Sequence, residues 1–132
     1  MKAKLPRISE SEWLVMKELW RKHPQTSGQI VEALSGKTRW GAATIKTLIN
    51  RLVTKKALGY DKLGREHHYA PLVSEADCAR EEGRSFLKRV FDGSLSPMLA
   101  SFLEREALSP KEIAELKQIL EEKERKSHDK HR

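Results

Sequence analysis

The sequence predicts a mainly α chain in two parts: three helices with a β-hairpin, then three further helices. Three observations carry that prediction. Trp40 to Tyr69 reads as one helix followed at once by a charged hairpin. In it Ile45, Leu48, Ile49, Leu52 and Val53 recur at i, i+3, i+4, i+7 and i+8, one apolar stripe of helical period. The opposite face holds Ala43, Thr47, Asn50 and Thr54, flanked by Lys46 and Arg51. Charge, finally, is unevenly placed: residues 1–73 carry 14 Lys and Arg against 6 Asp and Glu, and residues 74–132 carry 12 against 13. A cation excess confined to one half implies a localised contact with a polyanion. Short polar side chains let a helix sit deep in a major groove, while Lys and Arg reach phosphates or guanine edges. With Lys62, Arg65, His67 and His68 on the hairpin, the pattern is that of a recognition helix and its wing. The predicted fold is therefore a winged helix-turn-helix domain followed by a three-helix dimerisation region.

The elements follow in order from their caps. Ser9 and Glu12 form a capping box, with Ile8 and Trp13 as its hydrophobic staple. Helix 1 then runs to about Lys22, burying Trp13, Met16, Leu19 and Trp20, and Pro24 stops it. Thr26 and Gln29 open a short helix 2 that buries Ile30, Val31 and Leu34 and ends near Ser35-Gly36. Helix 3 covers about Ala42 to Lys56. Strands near Ala57–Lys62 and Arg65–Ala70 flank a hairpin tip at Leu63-Gly64, and Pro71 closes the wing. On this wing His67 and His68 point to opposite faces, so they cannot share one metal. One His is expected to face DNA and the other to pack under the wing; which does which stays open, with His67 in the candidate DNA-binding set.

The second half repeats the same grammar. Ser74 and Asp77 begin helix 4, stapled by Val73 and Cys78, and Asp92-Gly93 ends it. Helix 5 spans about Ser96 to Glu106. Ser109, Pro110 and Glu112 open helix 6, stapled by Leu108 and Ile113. The apolar stripes are Phe86 and Val90 on helix 4, Leu95, Leu99, Phe102 and Leu103 on helix 5, and Ile113, Leu116, Ile119 and Leu120 on helix 6. Three short helices bury little surface alone, so a second copy packed two-fold is the expected partner. From Glu121 the chain is almost all charge and is expected to fray. The expected divisions are 1–73 for the DNA-binding domain, 74–122 for the dimerisation domain and 123–132 for a charged flexible tail.

Other classes find less support. No stretch reaches the ~18 apolar residues of a membrane span, and no signal peptide follows the basic start, so a cytoplasmic protein without membrane insertion is expected. One cysteine excludes an internal disulfide framework and a cysteine-rich metal site. No metal and no cofactor is expected. No Gly-rich phosphate loop, H-E-x-x-H or apolar carboxylate pair suggests an enzyme. A pure protein-interaction module would not need Lys46, Arg51, Lys55, Lys56, Lys62 and Arg65 all on one side. A ligand-sensing regulator of the MarR-like type needs helices enclosing a pocket, for which this carboxy-terminal half is short. A winged-helix regulator that answers a small ligand or partner protein without being cleaved stays open as the alternative.

The order of capped helix with two tryptophans, short helix, TIKTLINRLVTKKALGY, wing GREHHYAPLV and FLKRVFDGSLSPMLASFLEREALSPKEIAELKQIL resembles the penicillinase repressor (BlaI/MecI) family over about Ile8 to Leu120. The resemblance implies a dimeric repressor of operator dyads controlling β-lactamase or cell-wall-stress genes. It also implies relief by cleavage in the dimerisation region, driven by a membrane sensor protease system. It puts Thr44, Lys46 and Thr47 at base-facing positions and makes Arg51, Lys62 and Arg65 phosphate contacts. Ala43 stands where several relatives have Lys or Arg, which implies a different operator. Ala43, Asn50 and His67 complete the DNA-facing set. The family's cleaved Asn-Phe bond falls on Ser101-Phe102, where Phe is kept and Asn is not. The cysteine-rich ending of copper-responsive relatives is absent, so a thiolate copper site is not implied.

Overall fold

A computed structural model of the chain describes residues 5–130. The element order is α1 (Glu10–Arg21), α2 (Ser27–Ser35), α3 (Ala42–Thr54), β1 (Leu58–Leu63), β2 (Glu66–Pro71), α4 (Glu75–Phe91), α5 (Leu95–Arg105) and α6 (Pro110–Lys130). This is the winged helix-turn-helix architecture followed by three helices. The chain forms two compact units that divide after Ser85, not at the expected 73/74 boundary. Tertiary contacts explain the shift. Cys78 is buried in the first unit's core, Glu75 pairs with Lys17, and the Trp20 indole N–H donates to the Val73 carbonyl at 2.9 Å. The early turns of α4 thus belong with the amino-terminal unit.

In that unit α1, α2 and α3 enclose Val15, Met16, Leu19, Ile30, Leu34, Ile45, Leu48, Ile49 and Leu52. Each such side chain contributes about 1.5–3 kcal/mol of burial. Both capping boxes form as the spacing dictates. The Ser9 hydroxyl accepts from the Glu12 amide at 3.2 Å, and the Glu12 carboxylate accepts from the Ser9 amide at 2.9 Å. Thr26 and Gln29 repeat this at 3.2 and 2.9 Å. Trp13 and Trp20 are half-buried, correcting the expectation of burial. They meet edge to face at 5.5 Å on the rim of the core, and Val15 fills the interior position.

Helix α3 stops without a glycine. Lys56 takes a positive φ of 67°, its amide bonds to the Val53 carbonyl at 3.0 Å, and the Ala57 amide bonds to the Leu52 carbonyl at 2.9 Å. This is a Schellman ending with a lysine where glycine is usual. Replacing Lys56 with glycine relieves the left-handed strain and is expected to raise stability by up to about 1 kcal/mol, measured by urea unfolding.

The hairpin register differs by one residue from the expectation. Leu63 pairs with Glu66, so the tip is Gly64-Arg65. Gly64 has φ 67°, as the first central position of a two-residue type II′ turn requires. Arg65 is therefore at the tip and not on the strand. A third segment joins this sheet. The Gln25 amide donates to the Tyr69 carbonyl at 3.0 Å, and the Tyr69 amide donates to the Gln25 carbonyl at 2.8 Å.

In the second unit Phe86, Phe91 and Phe102 form a ring cluster with centroids 5.9–6.3 Å apart. Helix α5 starts at Leu95, one residue earlier than expected, and buries no residue fully. Ser109 caps α6 through the Glu112 amide at 3.1 Å. The helix then continues to Lys130, which corrects the expected frayed tail over residues 123–130. Glu121 with Arg125, and Glu122 with Lys126, stand at the i,i+4 order that favours a helix. Residues 1–4 of the expected first domain and 131–132 of the expected tail lie outside the described residues. Among the described residues no helix is long and apolar enough to cross a membrane.

Candidate nucleic-acid interface

The apolar stripe of α3 fixes which of its side chains remain available. With Ile45, Leu48, Ile49 and Leu52 held in the core, Ala43, Thr44, Lys46, Thr47, Asn50 and Arg51 are all exposed. Gly41 at the N-cap supplies no side-chain cap, so the helix start is slender enough for close approach. The hydroxyls of Thr47 and Thr54 donate to the carbonyls of Ala43 and Asn50, both at 3.0 Å. Their lone pairs stay free to accept a base amino group.

The wing adds a second surface. Because paired residues of an antiparallel ladder share a face, Tyr60, Lys62, His67 and Tyr69 stand together, and Asp61 and His68 stand on the other side. His67 is half-buried and stacks on Tyr60 with centroids 4.1 Å apart. Lys62 and Arg65 are exposed, Arg65 at the turn. His68 lies directly opposite Asp61.

One of the six cations expected on one side is engaged elsewhere. Lys55 reaches back to α1, where its ammonium donates to the Glu12 carboxylate and to the Arg7 carbonyl at 2.9 Å. It is a tertiary clasp and leaves the proposed surface. Lys56 forms the left-handed ending of α3. Glu12 is almost fully buried, and burial alone would raise its carboxyl. The Lys55 ammonium and the Ser9 amide and hydroxyl outweigh that and hold it below the ordinary value of 4.5. Glu18, also buried, is lowered first by its hydrogen bond from Arg21, against burial, with help from Gln25 and the charge of Lys37. Both carboxylates serve the scaffold.

Cys78 sits at its staple position, and burial followed by the nearby Asp77 pushes its thiol up. It is a core thiol. No cluster of potential metal ligands occurs among the described residues. Ser101 and Phe102 lie inside α5, and Phe102, about half exposed, belongs to the three-ring cluster. Sequence reasoning missed Tyr69 and Ser27, which stand beside Lys46 and Asn50. The available signal was the strand alternation that sets Tyr69 on the face of His67.

The family model described as "Penicillinase repressor" matches residues 8–122. The chain belongs to the penicillinase repressor family. Within it, the Bacillus licheniformis protein "Penicillinase repressor" is 41% identical over 90% of this chain and 93% of its own length. A Mammaliicoccus sciuri relative, "Methicillin resistance regulatory protein MecI", is 34% identical over 93% of this chain and 100% of its own. The solution structure of the Bacillus licheniformis BlaI monomeric form in complex with the blaP half-operator is 36% identical, with a TM-score of 0.51. That match covers 56% of this chain and 90% of the solved one. The family's sequence similarity thus spans both units, and the structural similarity covers just over half the chain.

Proposed function

We propose that this protein is a dimeric transcriptional repressor that binds an inverted-repeat operator in double-stranded DNA. The observation that carries the reading is the outer face of α3. From Ala43 to Arg51 every residue off the apolar stripe is exposed, and all are small, polar or cationic. Thr44 and Thr47 are suited to base edges, Arg51 with Lys62 and Arg65 to phosphates. The half-operator complex of the BlaI relative supports DNA as the partner.

Dimerisation is supported by the second unit. Val90, Leu95, Phe102, Leu103, Ile113, Leu116, Ile119 and Leu120 are all exposed in the single chain, Ile119 and Leu120 at 61% and 60%. Phe86 and Leu99 are half-buried beside them. An apolar surface of that kind marks an interface, and a two-fold partner offering the same stripes covers it self-complementarily. Two joined half-site contacts raise operator affinity by ~10²–10⁴-fold over one.

Relief of repression by cutting the chain at Ser101-Phe102, under a membrane sensor protease system, fits this arrangement. The cut would split α5 and release Phe102, Leu103 and the α6 stripe while leaving the DNA-facing surface intact. Control of β-lactamase genes is supported by the name of the penicillinase-repressor relative, and control of cell-wall-stress genes extends that reading.

Selection from a pool of random-sequence duplexes tests the reading. The purified protein is expected to enrich inverted repeats with half-sites about 10 base pairs apart, one helical turn. In cells exposed to a β-lactam, an amino-terminal fragment ending at Ser101 is expected as repression lifts. Enrichment of lone half-sites would remove the dimeric operator. Derepression with only full-length chain present would remove the cleavage step.

A further inference from the structure

Where the start of α2, the flank of α3 and the base of the wing meet, a notch of about 160 Å³ is lined by Ser27, Lys46, Ile49, Asn50 and Tyr69. Every polar lining group can donate a hydrogen bond, and no carboxylate is among them. Tyr69 is 8% exposed. Its ring is fixed in the core, and its hydroxyl has no hydrogen-bond partner among the described residues, yet it is not sealed from solvent. Tyr69 is one of the residues that line the notch. Burial, then the neighbouring Tyr60, pushes this phenol up, so it stays protonated and a donor.

The backbone brings these groups together. The paired hydrogen bonds between Gln25 and Tyr69 set the ring against the first turn of α2. There the capping box uses the Gln29 amide, and the Ile30 amide bonds to the Thr26 carbonyl. The Ser27 and Gly28 amides, first in the helix, have no helical carbonyl behind them. Amides of this kind, at the positive end of a helix, favour an oxyanion. Lys46 adds a full charge and forms no ion pair among the described residues. The space is ample for one tetrahedral oxyanion, and its all-donor polar lining suits one.

We propose that this notch grips one backbone phosphate of the bound duplex, through the Tyr69 hydroxyl, the Lys46 ammonium and the leading amides of α2. The inference rests on the DNA-binding reading above and refines it. Lys46 moves from the base-reading set to the backbone set, and Tyr69 becomes a positioning contact that fixes how deeply α3 enters the groove. Phosphate contacts set register and carry no sequence information of their own.

Tyr69→Phe removes the hydroxyl and leaves the ring. It is expected to weaken binding to a random-sequence duplex and to the selected operator by the same factor, about ten- to a hundred-fold, the net worth of one hydrogen bond to a charged group. Its melting temperature and its salt dependence should match those of the unaltered protein. Lys46→Ala should also weaken both duplexes equally, and its salt slope should fall by about one. In the unaltered protein the Ser27 and Gly28 amide resonances should shift when duplex is added. Unchanged binding by Tyr69→Phe overturns the notch, as do amides that stay still while α3 resonances move. Amide shifts with inorganic phosphate alone, and none with duplex, assign the notch to a free oxyanion and likewise overturn the proposal. Failure of the unaltered protein to bind any duplex defeats the DNA reading itself, a result distinct from either of these.

Discussion

Leu99→Asp and Leu116→Asp are each expected to yield a monomer whose amino-terminal unit remains folded and whose operator affinity falls by ~10²–10⁴-fold. Both residues lie on stripes that the single chain leaves open. Leu99 is half-buried and Leu116 is 37% exposed, so neither change empties a sealed core. A carboxylate there costs little in the monomer. In a packed two-fold interface it would be taken from water without a partner, which costs several kcal/mol. The effect should therefore fall on assembly and spare folding. Sedimentation measures the first, and far-UV circular dichroism with a thermal melt measures the second. An unchanged dimer would show that these stripes are covered within one chain.

Glu12→Ala is expected to destabilise the amino-terminal unit by about 2–4 kcal/mol. The loss has two parts. The capping box at α1 loses its returning carboxylate, about 1 kcal/mol. The clasp to Lys55 also loses its buried acceptor, a loss smaller than for a fully buried pair because the Lys55 side chain is 35% exposed. Glu12 and Glu18 both have lowered carboxyl values when folded. Their contribution is complete above the unfolded value near 4.5 and disappears as pH falls through the lowered folded values. Melting temperature should drop with acid over that range in the unaltered protein, and the drop should be shallower in Glu12→Ala. Equal slopes would show that Glu12 carries none of the acid sensitivity.

Local signals were legible in the sequence because their partners lie within one helical turn. Ser9 with Glu12, Thr26 with Gln29, Ser74 and Ser109 all cap as their spacing dictates, and four of the five α3 stripe residues enter the core, Val53 packing half-buried at its edge. What escaped is non-local or chemically atypical. Lys55 finds Glu12 across 43 positions, and nothing beside Lys55 distinguishes it from a lysine meant for phosphate. The ending of α3 lacks the glycine that would have announced it. The continuation of α6 to Lys130 runs through good helix formers with opposite charges four apart, a stretch that composition alone reads as a solvated run. Of the candidate interface, the helical face was legible and the notch was not, since Ser27 and Tyr69 are 42 residues apart in the chain.

The pairing of Gln25 with Tyr69 bears on how readily the wing can act. Both main-chain groups of Tyr69 point toward Gln25, so β2 is held on one side by Gln25 and on the other by β1. A hairpin joined to its domain by one strand alone would keep much conformational freedom until something bound it. Here a slip of one residue would turn Tyr69 out of the core and break both bonds to Gln25. The wing is therefore ordered when the chain folds, and the entropy of fixing Lys62, His67 and Tyr69 in place belongs to folding. A ligand that meets this surface finds it already set, so little of its binding free energy is lost to ordering the strand that receives it.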